Sequence, residues 1–571
     1  MTNRKDTRQM DRRVGRRAFL KAGAGAAALT GLAAGESLAA SKTRRWDEQA
    51  DVVVLGFGGA GACAAIEAHD TGAKVLIIEK QRADHHYPDI RMAGGNFHSP
   101  DPKGNRAALK AMGLAQMSGD NLPWKLEGEQ NEIADELADL WATHSPENLP
   151  WLMSLDPEFK PARGGGAAFP DFPGAKDSGY RWYTASYSGK ADADVPTKDL
   201  PKARKMNGEA FFACLSAGIA KRKIRVMYET PAQSLIKDDN GEIVGVVARA
   251  ANDKIIRVKA RRGVVLTTGG YEFALTMRKA FLEGPGVEGW AFYGSPDNTG
   301  DGIEMAQAVG AGLMGAGKVN GRLIAGVPLR ANGLKHGVVT DTVGAPNTIV
   351  VDNSGARYMN ELVVATGNSR YFSYKAAVAF DLDKMDFARI PSWMVFDETF
   401  RSSKTLASMG FGSVGFGLVP WTHDNMDAVN RGWILKGDTV EELAAKIKAH
   451  KDNRSLIDAR TLAAAVERFN VGCAEGKDEF GRAVKAEHVV KKPPFYAVPL
   501  YAGGPSTGGG VAATAQREVV DWRRRVIPRL YVAGEICQPF RYIYTTGCGI
   551  GPAVTFGRIA GRNAAKLKPW G

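Results

Sequence analysis

The chain has 571 residues, 44% hydrophobic and 24% charged, with a formal net charge of +13, and is long enough for about two or three domains around sizeable cores. Residues 1–40 hold eight Lys/Arg against three Asp/Glu, so +5 of that charge belongs to them and +8 to the remainder. Beyond Arg45 the excess reads as thinly spread, which argues against a nucleic-acid partner and leaves an anionic substrate or partner open. Five cysteines without a C-x-x-C or C-x-x-C-H argue against a metal cluster, a disulfide framework or a haem attachment, so no metal is expected.

The first forty residues read as a leader. Arg16-Arg17-Ala18-Phe19-Leu20-Lys21 closes a basic stretch, a mildly apolar Ala/Gly/Leu run follows, and Ser37-Leu38-Ala39 offers a small-residue cleavage signal. This pattern predicts a twin-arginine export signal and a periplasmic or otherwise exported protein. The apolar run is short, glycine-rich and interrupted by Glu36, so no integral membrane segment is expected in the mature chain.

Asp51 to Lys80 reads as strand, glycine turn, helix, strand. Val52–Leu55 is the β-branched run of a strand buried on both faces of a parallel sheet. Gly56, Gly58 and Gly61 have the G-x-G-x-x-G spacing that gives a tight turn, backbone within reach of a pyrophosphate, and close helix-on-strand packing. A helix from about Gly59 and Ala60 to Thr71 aims free N–H groups at that phosphate. Glu79, followed by Lys80, ends the second strand at Val75–Ile78; an acid there can accept from a ribose hydroxyl and would repel the extra phosphate of NADP. These features predict a dinucleotide site. Cys63, in the helix, reads as a small core residue.

Gly94-Gly95-Asn96 follows a polar loop and suits close backbone approach to a flat ligand. His85 and His86 read as loop residues, since adjacent side chains point apart and no third ligand is suitably spaced. Residues 105–152 are helical in pattern, 160–200 form a Gly/Pro/Tyr/Asp-rich loop or insertion, and 206–221 return to helix. Val226–Lys237 and Ile243–Ala250 alternate like a hairpin turning at Asp239-Asn240-Gly241. Val264 to Thr268 then leads into Gly269-Gly270-Tyr271, a second approach to the nucleotide, and Gly300-Asp301-Gly302 caps a helix whose loop can face the cofactor.

The segment 315–486 reads as an inserted domain between a first part at 46–314 and a second at 487–571. Within it Gly355-Ala356-Arg357-Tyr358-Met359-Asn360-Glu361 offers either site residues or a turn whose charges pair with each other, and Tyr371 and Tyr374 follow. Gly410 to Gly415 repeats the glycine spacing without a buried strand before it, which argues against a second nucleotide site. Residues 441–470 are helical in pattern. The chain closes with a strand ending in Gly534-Glu535, then Tyr544-Thr545-Thr546-Gly547-Cys548-Gly549-Ile550-Gly551-Pro552 entering a helix, whose N-terminus can stabilise negative charge on a flavin ring.

Four separated motifs, Gly56–Glu79, Val265–Tyr271, Arg529–Glu535 and GCGIGPAVTFGRIAGRN at 547–563, resemble the FAD-binding domain of the succinate dehydrogenase/fumarate reductase flavoprotein superfamily, and GARYMNE resembles its G-x-R-F-x-N-E element. The resemblance implies an α/β, Rossmann-like FAD-binding domain of glutathione-reductase type with an inserted α+β capping domain. It implies FAD, with Glu79 on the adenosine ribose and Glu535 on the ribityl chain. The histidine pair and the loop arginine with which fumarate reductases grip a dicarboxylate are not matched, since Ser506-Thr507 stands before Gly508-Gly509. The final loop is closer to that of 3-ketosteroid dehydrogenases, matching Tyr544 to the tyrosine and Thr546 to the serine. A further dehydrogenase tyrosine is not matched near Ala365, and Tyr371 or Tyr374 could substitute. Pro88 stands where succinate dehydrogenases carry the histidine that attaches FAD, which implies non-covalent FAD.

The implied reaction is hydride transfer between flavin and a carbon–carbon bond adjacent to a carbonyl, with a proton handled next to it. Tyr544, with Thr546 or Arg541 to tune it, Tyr371 and Arg357 are the candidate catalytic residues. A tyrosine proton carrier needs such tuning because its free pKa is near 10. Two other readings stand beside this one: a reductase of a small unsaturated acid, and a flavin-binding electron-transfer subunit. Each implies an electron donor or acceptor outside the chain.

Overall fold

The computed structural model describes residues 45–118, 131–166, 173–187, 207–362, 373–540 and 545–571. The β-branched run after Gln49 makes a strand, Glu48–Leu55, with Val52, Val53 and Val54 fully buried. It lies between Val75–Ile78 and Ile255–Leu266, parallel to both, so that Val53 faces Leu76 on one side and Val264 on the other. Arg225–Met227 and Val526–Val532 extend the parallel set on its two sides. The hairpin expected around Asp239 forms from Ala232–Lys237 and Ile243–Arg249 and docks antiparallel on Ile255–Leu266. Val226, read as part of that hairpin, belongs instead to the parallel strand.

The helix Gly59–Asp70 packs against the last helix, Ile550–Lys566, and small residues at helical spacing bring the two backbones together. A Cβ on Gly557 would come within 2.7 Å of the Ala60 carbonyl, and one on Gly561 would run into that of Ala64. Glu67 ties the pair by accepting from Arg558 and Arg562. Cys63 is fully buried at this contact, as its reading as a core residue anticipates.

A second sheet is built on two long strands, Leu313–Ala331 and Phe495–Val511, paired antiparallel. Trp290–Phe292, Leu334–Val338, Thr348–Val351 and Ser392–Asp397 complete its main path. At its far end Phe495–Val511 also pairs through Gly509 and Gly510 with Cys537–Gln538, just past Glu535, which carries this sheet to the carboxyl end of the parallel one. The helical pattern expected over 441–470 is two helices, Val440–Ala449 and Ala459–Glu475. The break occurs because Asp458 is an N-cap, its side chain accepting from the Thr461 N–H at 2.8 Å. Likewise the pattern over 105–152 divides into Arg106–Ser118, Asn131–His144 and Asn148–Leu155. Among the described residues no helix is long and apolar enough to cross a membrane.

Candidate cofactor and active site

The parallel strands deliver their carboxyl ends to a cleft, which Leu55, Ile78 and Thr267 line. Gly56, Gly58, Gly59 and Ala60 line it at the first strand's end. Each glycine of the triplet has its own reason. Gly56 has φ +97° and a Cβ there would sit 2.6 Å from the Thr267 carbonyl, while one on Gly61 would strike the Gly56 carbonyl; a Cβ on Gly58 would meet only Pro88, at 3.8 Å. Gly61 therefore serves helix packing and does not line the cleft. With Gly58 as an N-cap that makes no side-chain bond, the first N–H groups of the helix are free to face a phosphate.

Glu79 is buried at the end of Val75–Ile78, where Oε2 accepts from the Phe57 N–H and Oε1 from the Gln81 N–H, both at 2.7 Å. Burial works against its charge, but the His86 imidazole and these two N–H groups outweigh it and hold the carboxyl below its ordinary value. His86, read above as a loop residue, is buried: its ring stacks on Phe57 and its Nε2 lies 3.7 Å from Glu79. Lys80 donates to Thr299 Oγ1 at 2.7 Å and to Asp301 Oδ2 at 2.8 Å, which joins the second strand to the helix Asp301–Ala308. Thr268 and Gly269 reach the cleft from the end of Ile255–Leu266, with Gly269 at φ +76° against Asn298.

Farther along, three carboxylates meet. Asp89, Glu272 and Glu535 place oxygens within 4.8 Å of one another. Asp89 accepts from the Ser295 N–H and Asn298 Nδ2. Glu535 accepts from the Thr507 N–H at 3.0 Å and its hydroxyl at 3.2 Å, and Glu272 accepts from the same N–H. Burial and the neighbouring carboxylates push Asp89 up to about 7 and Glu535 well above its ordinary value. Asp89 and Glu272 were not singled out in the sequence; Glu272 directly follows the Gly269-Gly270-Tyr271 signal, whereas Asp89 had none. Gly534, at φ +87° against Ala60, and the pair Gly549–Ile550 close the cleft with a second helix N-terminus.

The remaining sequence candidates lie elsewhere. Gly94, Gly95 and Asn96 stop short of the cleft, which Ala93 lines. Gly95 accepts from the Ala185 N–H and packs on Asn207, and Asn96 accepts from Thr184 Oγ1 at 2.8 Å, so they anchor a small sheet of Asn96–His98, Ala162–Arg163 and Trp182–Thr184. Arg357 is fully buried, donating to Glu361 at 2.7 Å and to Asp478 at 2.6 Å. Of its two readings the ion-paired turn is the one seen, and its guanidinium is used up in holding the cap together. Tyr374 is buried against Gly321 and Trp290, and burial pushes its hydroxyl up to about 12. Thr546 offers its carbonyl to Tyr180 Oη at 2.6 Å. Beside it Thr545 donates to Gln116 at 2.9 Å and lies 2.7 Å from Cys548 Sγ, so a buried network fixes the base of the final loop. Tyr544 and Arg541, like Tyr371, fall outside the described residues.

Two helix N-termini from opposite ends of the sequence converge on one elongated cleft, with a ribose-type acid at one end; this defines a protein that holds an extended dinucleotide, one helix to each half. Residues 51–551 match the FAD binding domain family, and the chain belongs to it. The chain is 26% identical to "Fumarate reductase (cytochrome)" from Shewanella frigidimarina, over 90% of this chain and 77% of that one. It is 25% identical to "3-oxosteroid 1-dehydrogenase" from Mycolicibacterium smegmatis, over 91% and 97%. The 3-ketosteroid delta1-dehydrogenase of Sterolibacterium denitrificans, in complex with 1,4-androstadiene-3,17-dione, superposes with a TM-score of 0.70 at 22% identity, over 91% of this chain and 99% of that one, and shares the fold. The protein is an FAD-dependent oxidoreductase acting on CH–CH groups, with a Rossmann-like cofactor domain and a capping domain.

The cleft suits the cofactor. Thr268, which lines it, has an Oγ1 buried without a partner among the described residues, as an atom waiting for a ligand's polar group would be. Gly58 and Glu79 suit the adenosine half, and Glu535 with the N-terminus at Gly549 the flavin half.

Proposed function

We propose that the protein is an exported oxidoreductase that moves hydride between non-covalently bound FAD and a carbon–carbon bond next to the carbonyl of a bulky, uncharged ketone of the 3-ketosteroid kind. The observation that supports this most is the charge of the cleft wall. Among the described lining residues the only cation is Lys80, at the adenosine end and engaged by Asp301. Toward the cap the wall is Tyr293, Gly294, Pro505 and Ser506, which offers no guanidinium or imidazole to a dicarboxylate. Arg322, next to that wall, donates to Tyr293 Oη at 2.7 Å and is paired with Asp341. Pro88 lines the cleft at the position of the attaching histidine, which supports non-covalent FAD.

FAD supplies the atom that exchanges hydride with substrate carbon. The chain's part is to orient both partners: the N–H groups around Gly549 and Ile550 face developing negative charge, and the cap covers the reacting carbons and excludes water. Tyr544 carries the proton at the carbon α to the carbonyl, and the residues that follow it in the chain, Thr545 and Thr546, are held by Tyr180. Reducing equivalents pass to or from a separate donor or acceptor, and the twin-arginine leader directs the protein to the periplasm.

The test is anaerobic flavin spectroscopy. A saturated 3-ketosteroid should bleach the flavin absorbance, or the unsaturated one reoxidise reduced flavin. Turnover of fumarate-like acids with no response to ketosteroids would instead establish the small-acid reductase, the reading supported by the 26% identical fumarate reductase. Tyr544→Phe should lose turnover by about 100-fold or more while keeping its yellow FAD; unchanged turnover removes that tyrosine from the mechanism.

A further inference from the structure

Opposite the cleft, the strand Val526–Val532 begins at a tight turn that pairs it with Glu518–Val520 at the edge of the parallel sheet. The turn reads Asp521-Trp522-Arg523-Arg524-Arg525. The expectation that basic charge is thinly spread beyond Arg45 is corrected here, because three arginines stand together on one exposed tip. Trp522 is 69% exposed and Val526 41%. An indole that far out of the core is unusual for a side chain of this size.

The tip is rigidly presented. Asp521 Oδ1 accepts from the N–H groups of Arg523 and Arg525 at 2.8 and 2.9 Å, and its backbone exchanges bonds with Arg525 and Arg524. The Gly312 N–H donates to the Val520 carbonyl, and a Cβ on Gly312 would press within 3.1 Å of the Asp521 carbonyl, so the turn rests on the neighbouring segment. Arg525 also pairs with Asp521 through its side chain. Within residues 521–525 themselves the sequence sets one carboxylate beside three guanidinium groups. Three residues into the strand, Arg529 donates to the Lys568 carbonyl at 3.0 Å. There Lys566 and Lys568 are exposed, and Lys259 lies 4.3 Å from the Trp570 ring centre. Tryptophan beside lysine or arginine thus occurs twice at this end of the sheet.

We propose that this end of the molecule docks on a bilayer with anionic headgroups, Trp522 seating in the headgroup layer and Arg523, Arg524 and Arg525 meeting lipid phosphate. An amphipathic indole flanked by cations is suited to the membrane interface, and each added cation strengthens attraction to acidic lipid. A single aromatic on a narrow turn favours this over a protein partner, since stable protein interfaces need about 800 Å² of matched surface on each side. The cleft lies at the other end of Val526–Val532, roughly 25 Å away at the strand rise, so a docked molecule keeps its active site clear of the membrane.

The experiment is co-sedimentation of the FAD-loaded full chain with vesicles of phosphatidylcholine alone or containing about 30% phosphatidylglycerol. The leader is common to all proteins compared, so differences between them report the tip. Wild type should sediment with the acidic vesicles, less at about 0.5 M salt than at 0.1 M. Trp522→Ala and the double variant Arg523→Glu, Arg524→Glu should each lower the partition coefficient, the double by about tenfold or more, with flavin spectrum and turnover unchanged. Sedimentation that is absent, indifferent to acidic lipid, or unaltered in both variants overturns the proposal and leaves the tip to a protein partner.

Discussion

The two ends of the FAD cleft each carry a glutamate, and the two are in opposite electrostatic states. Glu79 faces two backbone N–H groups and His86, and its carboxyl is held below its ordinary value. Glu535 is half-buried, faces Asp89 and Glu272, and is driven well above it. Desolvation opposes the charge of both, so the difference lies in the count of donors against carboxylates around each. The adenosine end offers a fixed anion, able to accept from a ribose. At the ribityl end Asp89 and Glu535 hold their protons more tightly than ordinary carboxyls, so these groups can give as well as accept.

Breaking the ionised end should have the largest effect. Glu79→Gln turns an amide NH₂ toward one of the two N–H donors, and the loss of a charge-assisted bond worth about 2 kcal/mol predicts FAD affinity lowered by about 30-fold, read by titrating FAD into the stripped protein. An unchanged affinity would mean that Glu79 is only a structural acceptor. Next comes pH. Asp89 ordinarily releases its proton near 3.8 but in the fold only at about 7, so across that window the folded state holds the extra proton and stability of the FAD-free protein falls as pH rises. Glu79, with its pKa lowered from 4.5, works the other way: its contribution is present above that value and lost as pH falls below it. In Asp89→Asn the decline between about pH 4 and 7 should flatten; a thermal midpoint profile that matches wild type would place the proton elsewhere. The smallest effect is expected for Glu535→Gln. An amide replaces an acid whose neighbours favour its neutral form and still accepts from Thr507, so FAD should weaken less than about 3-fold. A loss as large as that of Glu79→Gln would show that Glu535 is ionised when the cofactor is bound.

The same contrast separates what the sequence made legible from what it did not. Gly56 to Glu79 could be read because strand, turn, helix and acid are contiguous, and Gly56 and Gly61 have local backbone reasons. Gly534, Glu535 and Gly549 could be read through the family resemblance, and all three line the cleft. Asp89 and Glu272 could not, because the cluster exists only where three chain-distant segments fold together, and a single acid carries no signal of its neighbours. His86 was read as a loop residue because nothing local shows that Phe57 covers it. Arg357 was ambiguous for a related reason: its partner Glu361 is one helical turn on, but Asp478, which completes its neutralisation, is far along the chain.

The contact between the helices Gly59–Asp70 and Ile550–Lys566 bears on how the protein is made. The first turn of the nucleotide site lies far ahead, in the chain, of the helix that supports its back through Gly557 and Gly561. Until residues 550–566 have been made, the small-residue face of Gly59–Asp70 lacks its partner, and FAD has a complete cradle only after that helix docks.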